Sequence, residues 1–415
     1  MKKKQQSGQL IVTKVLKFIE SCKGSAFGEY RMWTDGQITL YSSCFAAMLY
    51  HYVGELKKLN DENRQGWINY IQQYQEPKTG LFIGPEINPS ELTSSYHNYD
   101  HVTMHLTAHV LPTINLLGGK PRYSLRFAHR FMDKKFLLKW FEKIDWRDAW
   151  LRGNDLLFVG QFLIYLRNIE KESDAQPALD LYFQWLDSQI DKRTGLWGTN
   201  GFCNHYNALY GGYHQLLVYY FCKHDLPFAS RTIDTTLRLQ HPDGSFTPDG
   251  GGGACEDVDA VDILVNMYKY TGYRNRAISF ALNLILNSIL KTQMSDGGFV
   301  YRRGIPFTHM GITKTSSPPD HSNLFATWFR IHTIALCCQI LIDHPLAKFD
   351  WQFNHTCSMG WHRKETLPER IVNPWYDYIP FKIYSLKNYI KISKIMQKFG
   401  SVLTRIKSRY YEAIN

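Results

Sequence analysis

Long apolar runs are missing from this chain: the stretch from Ile331 to Ile342 is among the longest, and it is too short and interrupted to cross a bilayer. Paired cysteines are missing as well. The cysteines at 22, 44, 203, 222, 255, 337, 338 and 357 are scattered and form no C-x-x-C, so neither a disulfide framework nor a zinc ribbon is signalled. No segment sustains the apolar–polar alternation that strands need. No nucleic-acid motif is present, and a net charge of +11 does not supply one. Met1 to Gln6 is basic, but Leu10 to Ile19 carries Lys14 and Lys17 and has no small-residue cleavage site. A secretory leader is therefore not expected, and the expected location is the cytoplasm.

What remains is globular. The 415 residues are 44% hydrophobic and 15% aromatic, enough for a sizeable core. Basic residues are dispersed until the end, where Lys382, Lys387, Lys391, Lys394, Lys398, Arg405, Lys407 and Arg409 meet almost no acid. The tail from Phe381 reads either as a basic amphipathic helix in peripheral contact with an anionic membrane or as a solvated helix with one packed face.

The chain repeats itself. Gln75 opens Q-E-P-K-T-G-L-F, Gln189 opens Q-I-D-K-R-T-G-L-W, Gln240 opens Q-H-P-D-G-S-F and Gln293 opens Q-M-S-D-G-G-F. The first gap, from Gly80 to Gly195, holds two periods, and its hidden unit includes Trp146 to Asn154. A helical pattern precedes each turn, as at 67–74, 178–190, 231–240 and 277–293. Another begins after a polar loop, at 102–111, 209–221, 258–270 and 324–341. Two helices per repeat, neither able to bury its apolar face alone, predict an all-α ring of about six helical hairpins in two concentric layers, an α/α toroid. We place the ring at 39–344, with an N-terminal helical segment at 1–38 and a C-terminal wrap and basic tail at 345–415. Glycine at each turn suits a positive φ, and the glutamine and aromatic are expected to tie each turn to the next hairpin.

Inner helices begin where the loops after the turns end, which predicts one mouth lined by Asp100–His101, Asn204–His205, Glu256–Asp257–Val258–Asp259 and Asp320–His321, with Asn154–Asp155 in the hidden unit. Asp and Asn are also ordinary helix caps. Glu256, Asp259 and Asp262 recur at i, i+3 and i+6 on one helical face, with Asp257 turned aside. Crowded carboxylates raise at least one carboxyl pKa, as a general acid requires, or hold a divalent ion such as Mg²⁺. A sugar site is the rival reading. Tyr206, Tyr210, His105, His214, Arg302 and Arg303 suit proton abstraction and neutralisation beside a carboxylate, with Trp197 to stack on a ring.

The repeated Q-x-x-D-G-G/S-F turn resembles the repeat shared by terpenoid (squalene–hopene type) cyclases and protein prenyltransferase β subunits, over about Gln75 to His344. The resemblance implies an enzyme acting on an isoprenoid small molecule in the central cavity. Class II cyclases protonate their substrate with the middle Asp of a D-x-D-D motif. Asp257-Val-Asp259 matches its first half, which implies Asp259 as donor with Asp257 as partner; Ala260 replaces the last Asp, and Asp262 lies one turn on. His101, His205 and His321 are polar partners in this reading. Prenyltransferase β subunits hold zinc through an Asp, a Cys two residues later and a distant His. Cys255, Asp257 and His321 supply the types in reversed order. Such subunits also work with a partner subunit. A lyase or hydrolase of an acidic oligosaccharide, and a non-catalytic toroid that binds a partner at its mouth, are the alternatives.

Overall fold

In a computed structural model of the protein, residues 7–94 and 97–364 are described. The basic tail from Phe381 lies outside them.

Among the described residues, twelve α-helices alternate between two layers. The outer ones are α1 (Gly8–Ser21), α3 (Asp61–Gln72), α5 (Lys134–Phe141), α7 (Ala175–Gln189), α9 (Ala229–Arg238) and α11 (Asn275–Ile289). The inner ones are α2 (Leu40–Tyr52), α4 (Tyr99–Leu116), α6 (Ala149–Tyr165), α8 (His205–Cys222), α10 (Ala254–Thr271) and α12 (Leu324–Ile340). Their sequences differ as their surroundings do. α11 buries one stripe, Ala277, Ile278, Ala281, Leu282, Ile285, Leu286 and Ile289, and leaves the rest wet. α4 buries every residue from His101 to Ile114, and α12 every residue from Leu324 to Cys338. Each inner helix packs on the next, and α12 packs on α2, so the ring closes.

The N-terminal helix, expected outside the ring, lies in its outer layer. The turn at Gly297 rests directly on the backbone of α1, where a Cβ would meet the Lys14 carbonyl oxygen at 2.2 Å. α1 also brings its own copy of the repeat turn. Lys23 pairs with Tyr30 as Gln75 pairs with Phe82 and Gln293 with Phe299. The turn glycines Gly28, Gly80, Gly195, Gly244 and Gly297 all have φ between 73° and 102°. Two residues on, Tyr30, Phe82, Trp197, Phe246 and Phe299 are all buried. The first copy escapes the sequence pattern because Lys23 stands where glutamine opens the others.

Glutamine does the stitching. Gln75 Nε2 donates to Gly80 O (3.1 Å) and to Tyr123 O (2.7 Å), and its Oε1 accepts from the Arg122 and Tyr123 amides. Gln240 bridges Gly244 O to Ala281 O of α11, both at 2.9 Å. Gln189 departs from this pattern. Ile190 of β1 (Ile190–Asp191) pairs with Trp197 of β2 (Leu196–Trp197), and the Gln189 amide turns to Ser188. Thr232 and Thr235 of α9 take over, donating to Gly195 O and Thr194 O at 3.0 Å. In the third hairpin, Trp146 stacks on Trp185 of α7 in place of a glycine turn.

Both ends of the ring are covered. Residues 300–321 lie over the end where the inner helices start, sending Phe307, His309 and Ile312 inward. Residues 345–364 cross the other end: Gln352 N donates to Tyr52 O, Thr356 bonds Asn115 of α4 and Lys269 of α10 donates to Arg363 O.

Two glycines separate strain from crowding. Gly244 has φ +96° and would bring a Cβ within 2.6 Å of the Leu284 carbonyl, whereas Gly118 (φ +82°) faces open space. Gly244→Ala should cost at least about 2 kcal/mol and Gly118→Ala about 1 kcal/mol, read by denaturant unfolding. Equal costs would show that the turn does not press on its neighbour.

Candidate active site

The acidic cluster divides between two jobs. α10 starts at Gly253 without a side-chain cap, so its acids are not helix caps. Asp257 turns sideways: Oδ1 accepts from the Phe246 amide at 2.9 Å and Oδ2 pairs with Arg330 of α12. Arg330 also donates to Tyr301 O at 2.7 Å. Asp257 therefore locks a repeat turn to two inner helices. Glu256 accepts from the Tyr301 hydroxyl at 2.6 Å.

Asp259 and Asp262 face the axis instead. They are 1% and 0% exposed, and Asp259 Oδ2 and both Asp262 oxygens have no hydrogen-bond partner. Burial pushes the Asp262 carboxyl up to about 8, and it raises Asp259 strongly, reinforced by Glu256, Asp262 and Asp257. Asp262 is therefore a neutral acid near pH 7, and Asp259 is pushed in the same direction. Around them stand Tyr210 and Tyr213 of α8, whose hydroxyls feel these carboxyls.

Across the ring, a ladder of histidines runs down α4. His101, His105 and His109 recur every four residues, on one face, and the His105 and His109 rings lie 4.4 Å apart. His101 Nδ1 contacts Asp155 at 2.7 Å, and Arg152 holds the other Asp155 oxygen. Tyr41 of α2 bonds His105 Nδ1 at 2.8 Å. His109 Nδ1 donates to His105 O at 2.9 Å, which leaves its Nε2 as a buried, unpartnered acceptor. Burial lowers His109 to about 4, and it lowers His105 well below the usual imidazole range, helped by His109 and His309. These imidazoles are neutral bases at pH 7. Phe45, Phe325 and Trp328 pack beside them, with Phe45 stacked on Trp328 at 5.3 Å and His309 against Phe325 at 4.4 Å.

Other predicted residues are not gathered here. Asp100, Asn204, His205, Asp320 and His321 are exposed at the rim. Asn204 caps α8; Asp320 accepts from Gly304 N; His321 packs on Trp33. Tyr206 donates to Leu239 O and Trp197 to Leu186 O, both structural. Arg302 and Arg303 donate to Gly250 O and Lys291 O. Of the three expected histidines, only His101 is buried.

The zinc set that the resemblance implies does not come together. Asp257 is taken by Arg330, the Cys255 thiol is raised well above its usual range by burial, and His321 lies on the surface. Among the described residues, the group whose ligand atoms come within 4.8 Å of one another is His129, Glu170 and Glu172, away from the axis. Also among the described residues, no helix is long and apolar enough to cross a membrane.

The spacing of His101, His105 and His109 was readable as one helical face, though only His101 and His105 stood out on chemical grounds. Tyr41, Phe45 and Tyr213 give no local signal, and His309 reaches the axis from a loop that no periodicity foretells.

The family model for the prenyltransferase alpha-alpha toroid domain matches residues 10–314. No curated protein matches the chain. Among solved structures, a polysaccharide lyase is similar at 14% identity, covering 80% of this chain and 97% of that one with a TM-score of 0.44. A likeness of that size says nothing of this chain's chemistry.

Asp262 makes stability depend on pH in a defined direction. Its carboxyl ionises near 3.8 when unfolded and near 8 when folded, so between these values the folded state holds the extra proton. Its contribution falls by up to about 1.4 kcal/mol per pH unit as pH rises through that window, and is flat above it. Asp262→Asn removes this loss, so the variant should gain on wild type from pH 5 to pH 8 in unfolding measurements. Parallel curves would mean that Asp262 is ionised in the folded protein.

Proposed function

The chain belongs to the prenyltransferase alpha-alpha toroid family, and from that premise we propose that it is an enzyme that protonates and rearranges an apolar, alkene-bearing isoprenoid in the axial chamber. One observation carries the reading: a neutral, unpartnered carboxylic acid on α10, Asp262, and a neutral, unpartnered imidazole on α4, His109, are both buried on inner helices among aromatic rings. α4 and α10 are the second and fifth of six inner helices, so they stand on opposite sides of the ring.

The chemistry follows from the residues. Asp262 or Asp259 gives its proton to one carbon of a double bond; the π pair becomes the new C–H bond, and the other carbon becomes cationic. The electron-rich faces of Phe45, Trp328 and Phe325 stabilise that charge. A second double bond attacks to close a ring, and His109 Nε2 accepts the proton lost to restore an alkene. The imidazolium releases that proton to solvent and the carboxylate takes one from solvent, so both groups are restored and reactant and product are isomers. Ionising a diphosphate would instead need buried cations. Among the described residues Arg330 is the one buried Arg or Lys, and it is bound to Asp257. An acidic polysaccharide fits less well, since residues 300–321 cover the mouth and the chamber is aromatic.

Acyclic polyenes such as squalene and geranylgeraniol, incubated in D₂O, should yield cyclic isomers carrying one deuterium at the initiating carbon, seen by mass spectrometry. The rate should be bell-shaped, falling below about pH 4 and above about pH 8. Asp262→Asn or Asp259→Asn should lower it by about 10²–10⁴-fold. The proposal fails if an oligouronate is cleaved to an unsaturated uronate instead, or if farnesyl diphosphate loses diphosphate at a rate these variants leave unchanged.

A further inference from the structure

The far end of the ring has a cavity of its own. About 180 Å³ of space opens to solvent between the ends of α4 and α6, under residues 355–357. Leu111 and Ile114 of α4, Ile164 and Tyr165 of α6 and Phe221 of α8 make apolar walls. At its inner end lies Gln161. Its side chain is 2% exposed; Nε2 donates to Ala108 O at 2.8 Å, and Oε1 has no partner. A buried amide oxygen left unpaired is costly, so the site is short of one donor. The backbone is also unusual here. α6 ends in a single π-helical turn, Leu166–Glu170, a widening that recurs at functional sites. It sets Asn168 and Ile169 at the cavity, Ile169 half exposed.

We propose that this cavity binds a small neutral amphiphile, an alcohol or primary amide whose O–H or N–H donates to Gln161 Oε1 while its hydrocarbon chain lies along Ile164 and Ile169. An apolar cavity of about 150 Å³ holds a benzene-sized guest, so roughly six to eight carbons fit here. A cationic head is excluded because no acid lines the cavity, and although Lys120 stands in the wall, a carboxylate head brings no donor for Gln161 Oε1. The site stands apart from the axial chamber and does not depend on what that chamber turns over.

The test uses the full chain and two isomers, 1-heptanol and hexyl methyl ether, which match in atoms and differ in the donor. Calorimetric or NMR titration should show heptanol binding about tenfold more tightly, the scale of one buried hydrogen bond. Gln161→Leu should erase that preference. Ile164→Trp, filling the cavity, should abolish binding of both. Ile169→Asp at the exposed rim should weaken both several-fold and decides the matter if the tryptophan variant does not fold. Asp262→Asn should leave both affinities unchanged, separating this site from the axial one. Equal affinity for the isomers, binding that survives Ile169→Asp, loss of binding in Asp262→Asn, or no saturable binding would each overturn the proposal.

Discussion

A helix that is apolar on every side has no face to show to water, and six such helices in one chain allow few solutions. They can be buried only by surrounding one another and being surrounded in turn. The contact of α12 with α2 is therefore the condition on which the rest depends. Without it, the flanks of two inner helices stay wet, at roughly 25 cal/mol for each Å² of apolar surface. The glutamine-and-glycine turns serve that closure. Each fixes the outer helix of the next hairpin against the last, so that the inner helices are presented at a common height.

The same closure explains why the acids of α10 part company. Asp257 and Arg330 form a wholly buried pair that joins α10 to α12 and holds the Phe246 amide and the Tyr301 carbonyl. Losing one partner of such a pair typically costs about 3–5 kcal/mol, because the other charge is stranded. Two and five residues further on, Asp259 and Asp262 receive no such partner. Local rules are satisfied along the turns and broken along the axis, and proteins keep such violations mostly where they have a use for them.

The fold was legible because its repeat is written in residues with few substitutes: glycine at a positive φ, an aromatic two places on, a glutamine that can bond two carbonyls at once. The copy at Lys23–Tyr30 lacked the glutamine and went unread, and with it the membership of α1 in the ring. The site was legible only in part. Asp259 and Asp262 stood out because acids are rare in an apolar helix. His205, His321 and Asp320 share a sequence setting with His101, but a residue at the very start of an inner helix sits on the rim, and only those a turn further in reach the axis. His309 could not be found at all, since a loop's inward reach depends on what it lands on.

The seam of the ring lies between the first turn of the chain and the last. Gly297 rests on the Lys14 carbonyl, and α12 meets α2 across nearly three hundred residues. On the ribosome, α1 and α2 must therefore wait, with apolar flanks uncovered, until α11, its turn and α12 have all emerged. At about 5–20 residues per second, that interval lasts tens of seconds. The two sides of that seam are thus the part most exposed to mispairing during synthesis. A circular permutant opened at another hairpin would move that vulnerable gap without changing the finished ring.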